Sequence, residues 1–99
     1  MDFALICRDG RDALQRRLAA RAEHMAGLKT GKTDGTIVDG GAILDDEGNM
    51  VGSVVLCRFP DREALDAYLK SEVYAREQIW GDVEILDMRF VDWPKLMAS

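Results

Sequence analysis

What most constrains this chain is Arg17–Leu28, which reads RLAARAEHMAGL. Set on a 3.6-residue period, Leu14, Leu18, Met25 and Leu28 fall on one narrow stripe, the pattern of a helix packed on a sheet. Arg21 lies inside that stripe, and Arg17 and His24 lie along its edge. The spacing 17, 21, 24 is i, i+4, i+7, so three cationic or potentially cationic side chains stack on one flank. A helix made only for packing would carry leucine or alanine at position 21. The residues therefore point to a polar pocket beside the helix, without naming what enters it.

The flanking segments complete a short list of elements. Asp2–Arg8 is an apolar run with strand propensity, broken by Asp9-Gly10. The helix is expected from about Arg11 to Lys29, about 28 Å long at 1.5 Å per residue, with Asp9 or Asp12 as its cap. Thr36–Asp45 reads as a second strand with a Gly40-Gly41 pair, which marks a bulge or a close approach to the backbone. Asp46-Glu47-Gly48-Asn49 is a polar turn into a third strand, Met50–Phe59, and the pair forms a hairpin with Gly41 roughly opposite Ser53. Asp61 caps a second helix that buries Leu65, Tyr68 and Leu69 and ends near Ser71 or Glu72. Val73–Trp80 holds at most one helical turn, Val83–Val91 is the fourth strand, and Trp93-Pro94 closes the ordered part.

The order β-α-β-β-α-β predicts an α+β, ferredoxin-like fold with a four-stranded antiparallel sheet, as one domain over 1–94 with a tail at 95–99. One domain is also what 99 residues can support. The strands are apolar on both sides (Ile6, Cys7, Val54, Val55, Leu56, Ile85, Leu86), yet two helices cover one face only. A homodimer with sheets packed face to face is therefore expected.

Composition narrows the function. The net charge of -5, with acidic and basic residues interleaved, argues against nucleic acid. No apolar run approaches the ~20 residues that span a bilayer. The first ten residues, MDFALICRDG, are too short and acidic for a signal peptide, so a cytoplasmic protein is expected. Cys7 and Cys57 lie in separate apolar runs and read as buried, reduced thiols. His24 is the only histidine, so neither a redox pair nor a His-rich metal site is indicated.

In this fold each helix runs antiparallel to the strand before it. That places His24, taken as late in the first helix, near the start of strands one and three, with Arg21, Gly41, Ser53, Glu72 and Tyr74 at the same edge. Asp9 is expected at the opposite end. A histidine beside a carboxylate, Glu72 or Asp34, suits proton transfer near neutral pH. Arg17 and Arg21 suit an anionic or enolate-like ligand. The plain alternatives are structural: His24 bound to backbone, Ser53 satisfied within its strand, the arginines as a solvated face, and Tyr74 and Trp80 as core or dimer contacts. Ser53 has no nucleophile-elbow signature around it.

From Phe3 to Phe90 the chain resembles the YciI-like (YCII-related) family. Strand Ile6–Asp9 is followed by Arg17, Arg21 and His24 in an Arg-x-x-x-Arg-x-x-His helix, then by Gly40-Gly41-Ala42, Gly52-Ser53 and Glu72-Val73-Tyr74. Ala42 stands where the family usually has proline, and Glu72-Val73 where it has Asp-Pro. The resemblance implies a dimeric α+β barrel with a cleft lined by the histidine and an acid, and eliminations or isomerisations of small, often aromatic-derived acids. Three functions follow as expectations. The first is a cofactor-free lyase or isomerase with His24 as general base or acid, Glu72 orienting it, Arg17 and Arg21 holding an anionic small molecule, and Gly41, Ser53 and Tyr74 shaping its seat. The second is a non-catalytic ligand-binding or accessory subunit. The third is a structural domain with its charges neutralised internally.

Overall fold

Phe3, Leu5 and Cys7 alternate along a strand, β1 (Asp2–Asp9), and all three are shut off from solvent on the face that meets the helices. The computed structural model describes residues 1–98, so Ser99 at the end of the expected tail lies outside the described residues. The chain continues as α1 (Leu14–Asp34), β2 (Ile37–Leu44), β3 (Met50–Arg58), α2 (Arg62–Ser71), the short α3 (Val73–Arg76), β4 (Trp80–Met88) and α4 (Trp93–Ala98). The strands form one sheet in the order β2-β3-β1-β4, with every neighbouring pair antiparallel. This is the ferredoxin-like α+β arrangement.

Register decides the faces. Cys7 pairs with Ser53 on one side and Val83 on the other, so Ser53, Val55 and Cys57 share the helix-facing side with Phe3, Leu5 and Cys7. Leu65 of α2, Tyr74 of α3 and Trp80 complete the core. The opposite face carries Ile6, Val54, Leu56 and Leu86, and Leu86 is 42% exposed. The outer strands present carboxylates: Asp39 on β2, and Asp82, Glu84 and Asp87 on β4, are all exposed.

Several boundaries differ from expectation for local reasons. Helix α1 starts at Leu14 and has no side-chain cap, because Asp12 takes a left-handed φ of 52° and Ala13 occupies the cap position. It also continues past Gly27 and Gly31 to Asp34. Gly31 is a packing residue, since a β-carbon there would collide with the Ile37 side chain. In β2 the register shifts between Ile37 and Asp39, and a β-carbon on Gly40 would meet the Val54 carbonyl oxygen at 2.6 Å. Gly41 therefore pairs with Val54, and Ala42 is opposite Ser53. Strand β4 begins three residues earlier than its alternation suggests and includes Trp80. The chain forms a helical turn through Ala98 where sequence placed the end of order at Pro94. Among the described residues no helix is long and apolar enough to cross a membrane.

Candidate active site

Helix α1 buries Arg17, His24 and Gly31, seven residues apart each time. The apolar period marked Leu14, Leu18, Met25 and Leu28 as the packed stripe, but Leu18 and Met25 are 46% and 45% exposed. Arg21, Met25, Leu28 and Lys32 instead line a cavity between α1 and the β2–β3 hairpin. The polar flank is thus the packed one, and the stripe beside it walls a hollow.

His24 lies near the middle of α1, with its side chain buried to 8% exposure. Its Nδ1 lies 2.5 Å from Oε1 of Glu72. Glu72 separates α2 from α3 in an extended conformation, and its Oε2 accepts the backbone N–H of Tyr74 at 2.6 Å. Both carboxylate oxygens are therefore fixed, one by the start of α3 and one by the imidazole. Asp34, the other acid in view from sequence, turns away to accept the hydroxyl and backbone N–H of Thr36. The longer Glu72-Val73 variant of the Asp-Pro pattern still reaches the histidine. With Glu72 ionised, Nδ1 donates to it and Nε2 carries the free lone pair. Among the described residues Nε2 has no hydrogen-bond partner.

Aromatic rings hold the imidazole in place. Tyr74 stacks on it at 3.8 Å between centroids and 11° between planes, and Trp80 meets it edge-on at 6.0 Å. The Tyr74 hydroxyl donates to the Arg17 carbonyl at 3.1 Å. Burial pushes that hydroxyl above its ordinary pKa while the Arg17 guanidinium pulls it down, so it stays a donor at neutral pH.

Arg17 is not a free cation. Its Nε and Nη2 donate to the two carboxylate oxygens of Asp9 at 2.8 and 2.9 Å, and Nη2 also donates to Ser53 Oγ at 2.9 Å. The guanidinium carbon sits 4.8 Å from the Tyr74 ring centroid. Asp9 is therefore part of this cluster and not at the far end of the sheet. The expectation failed because β1 and β3 are antiparallel: the start of β3, with Ser53, lies beside the end of β1, with Asp9. Trp80 Nε1 also donates to Ser53 Oγ, at 3.3 Å. Receiving two donors and having no base beside it, Ser53 is not arranged as a nucleophile. Trp80 has no motif that marks it from sequence, and Asp9 is marked there only as the break after the first strand and a candidate helix cap. Only the antiparallel register brings them here.

The cavity has a volume of about 360 Å³. Its walls combine apolar side chains such as Met25, Leu28 and Val55 with the glycine pair of β2, His24 and Tyr74. Among the described residues Arg21 lines it without a hydrogen bond or ion pair, while Lys32 gives its ammonium to the Val38 carbonyl at 2.6 Å. Among the described residues no three His, Cys, Asp or Glu side chains gather to hold a metal ion. Cys7 and Cys57 are buried free thiols, and burial pushes them up to about 12 and about 11, so they stay protonated and unreactive.

The profile of the YCII-related domain matches residues 1–89. This chain belongs to that family. A relative with 26% identity over 89 residues, spanning 84% of this protein and 91% of the relative, is an uncharacterized protein of Haemophilus influenzae. Among solved structures, the 5-chloro-2-hydroxyhydroquinone dehydrochlorinase of Burkholderia phenoliruptrix, in complex with 2,5-dihydroxybenzoquinone, superposes with a TM-score of 0.80 at 20% identity. That match covers 92% of this chain and 96% of the dehydrochlorinase. An antibiotic biosynthesis monooxygenase follows at a TM-score of 0.54 and 17% identity, covering 91% and 97% of the two chains. At these identities the likenesses establish the shared fold of the YCII-related protein.

Proposed function

We propose that this YCII-related protein is a cofactor-free enzyme of the lyase or isomerase type, acting on a small, anionic, aromatic-derived molecule. The observation that carries this reading is the buried His24–Glu72 pair beside a cavity of about 360 Å³ that His24 lines. Glu72 holds the ring in one tautomer, so Nε2 acts as general base toward an acidic C–H or O–H and then as general acid toward the leaving group. Arg21 supplies the unneutralised charge for a carboxylate, phenolate or developing enolate. Arg17, its charge met by Asp9, forms the rigid wall behind Ser53 and Tyr74, and Gly41 leaves space for a flat ring. The dehydrochlorinase, named for a chlorinated hydroxyhydroquinone and holding a bound quinone, supports an aromatic-derived substrate.

The test is elimination or isomerisation measured on a panel of hydroxylated and chlorinated hydroquinones, with 2,5-dihydroxybenzoquinone as a binding probe. His24→Gln is expected to abolish turnover, by a factor on the order of 10²–10⁴, while leaving the thermal midpoint near that of the parent. Probe binding by both proteins without turnover by either would favour a ligand-binding or accessory role.

We also propose that the working unit is a homodimer formed through the open sheet face. Leu86 and Met88 are 42% and 45% exposed there, and side chains of that size on a sheet gain most by covering one another. Sedimentation should return about twice the 11.0 kDa chain mass, and Leu86→Asp should return the single chain.

A further inference from the structure

Ser53 stands on the helix-facing side of β3, only 4% exposed, and lines the cavity together with Arg21, His24 and Tyr74. Its Oγ meets two nitrogens, Arg17 Nη2 at 2.9 Å and Trp80 Nε1 at 3.3 Å. A guanidinium and an indole N–H can only donate, so the hydroxyl oxygen accepts in both bonds, whatever the rotation of its own proton. A serine oxygen has two lone pairs, and both are then taken. The O–H itself is left over, and among the described residues no bond runs from it to an acceptor. Both donors are fixed in their turn. Arg17 is clamped by the two carboxylate oxygens of Asp9, and Trp80 is buried with its ring edge-on to His24. The hydroxyl therefore has no lone pair to offer a ligand, only its proton. A buried O–H without an acceptor is unfavourable, so an acceptor brought by a ligand is favoured there.

We propose that Ser53 is a fixed hydrogen-bond donor to the ligand, and that the oxygen it meets is unprotonated: a phenolate or a ring carbonyl. Arg17 and Trp80 are its positioning residues. Arg17 acts here by geometry, because its charge is already met by Asp9. Arg21 and Ser53 select differently. An anionic group of any shape satisfies a guanidinium, whereas Ser53 asks for an acceptor oxygen at one place. A methyl group there leaves the O–H unmet, and a hydroxyl brings a proton that Oγ cannot take. The inference rests on the proposed reading of this cavity and narrows its substrate to rings with such an oxygen. In that reaction His24 Nε2 takes a proton from carbon, and the C–H electron pair becomes a C=C bond. The carbonyl oxygen that gains the charge is the one Ser53 holds.

The test compares two probes by fluorine NMR near neutral pH. Pentafluorophenol is ionised there and carries a single oxygen, and pentafluorotoluene has nearly the same size with none. Ser53→Ala is expected to weaken binding of the phenolate on the order of tenfold or more, and to leave the toluene unchanged. Trp80→Phe keeps a ring beside His24 and removes the N–H. With one lone pair released the hydroxyl is free to turn from the cavity, so the phenolate alone should weaken several-fold. Should Ser53→Ala fail to fold by circular dichroism, Trp80→Phe carries the test by the same comparison. Equal weakening of both probes, weakening of neither, or no binding of the phenolate by the parent protein overturns the proposal. Phenolate held through Ser53 by a protein without turnover would remove the enzymatic reading and keep this contact. Turnover by a protein whose phenolate binding ignores Ser53→Ala would do the opposite.

Discussion

Arg17 and Asp9 form an ion pair whose side chains are 3% and 6% exposed, so neither charge has water to fall back on. Replacing Arg17 with Met is expected to cost about 3–5 kcal/mol, because Asp9 is then left buried and unpaired. Urea denaturation measures it, and the double variant Arg17→Met with Asp9→Leu should recover much of the loss. Arg17, Arg21 and His24 were legible as a spacing, but their division of labour was not. The buried set 17, 24, 31 and the cavity set 21, 25, 28, 32 lie only about 70° apart on the helix surface at 100° per residue. A sequence whose polar side chains pack inward and whose apolar ones face a hollow inverts the usual pattern. Glu72 could be singled out from sequence, and its choice over Asp34 was decided by the Thr36 hydroxyl.

Among the elements, α2 was the most readable. Asp61 caps it by accepting the Ala64 backbone N–H at 2.8 Å, and Leu65 is fully buried beneath. Asp61→Ala should lower unfolding free energy by about 1 kcal/mol, seen as a reduced urea midpoint at unchanged slope. Helix α1 misled at both ends. Its cap carries no side-chain bond, and the Asp9–Arg17 pair ties the β1–α1 turn instead. Its glycines also look like stop signals until Ile37 is seen pressing on Gly31. The start of β4 was missed because Trp80 enters the sheet only two residues after Gln78, whose φ is 56°, leaving no alternation to read.

Over the whole molecule, Asp2 links three distant segments. Its carboxylate accepts from Arg58 Nε at 2.8 Å and from the Phe90 backbone N–H at 2.7 Å. The Arg58 hydrogen bond first, and the Phe90 N–H second, hold this carboxyl below its ordinary 3.8. A depressed folded-state value stabilises fully above the unfolded value and fades as pH falls below it. Acid unfolding followed by circular dichroism should therefore steepen below about pH 4, and Asp2→Asn should flatten that limb while leaving the neutral-pH slope unchanged. The β-α-β-β-α-β order and the sheet could be read from the sequence because strand and helix periods differ so plainly. The direction of β3 against β1, a property of the whole chain, is what set Asp9 beside Ser53.

The carboxylates on β2 and β4 have a consequence for colloidal behaviour. Asp39 on one rim and Asp82, Glu84 and Asp87 on the other repel a second rim that would otherwise zip onto the unpaired peptide groups. Mild acidification, before the chain unfolds, should therefore raise light scattering. Replacing Asp82 and Glu84 with Asn and Gln should bring that turbidity to neutral pH.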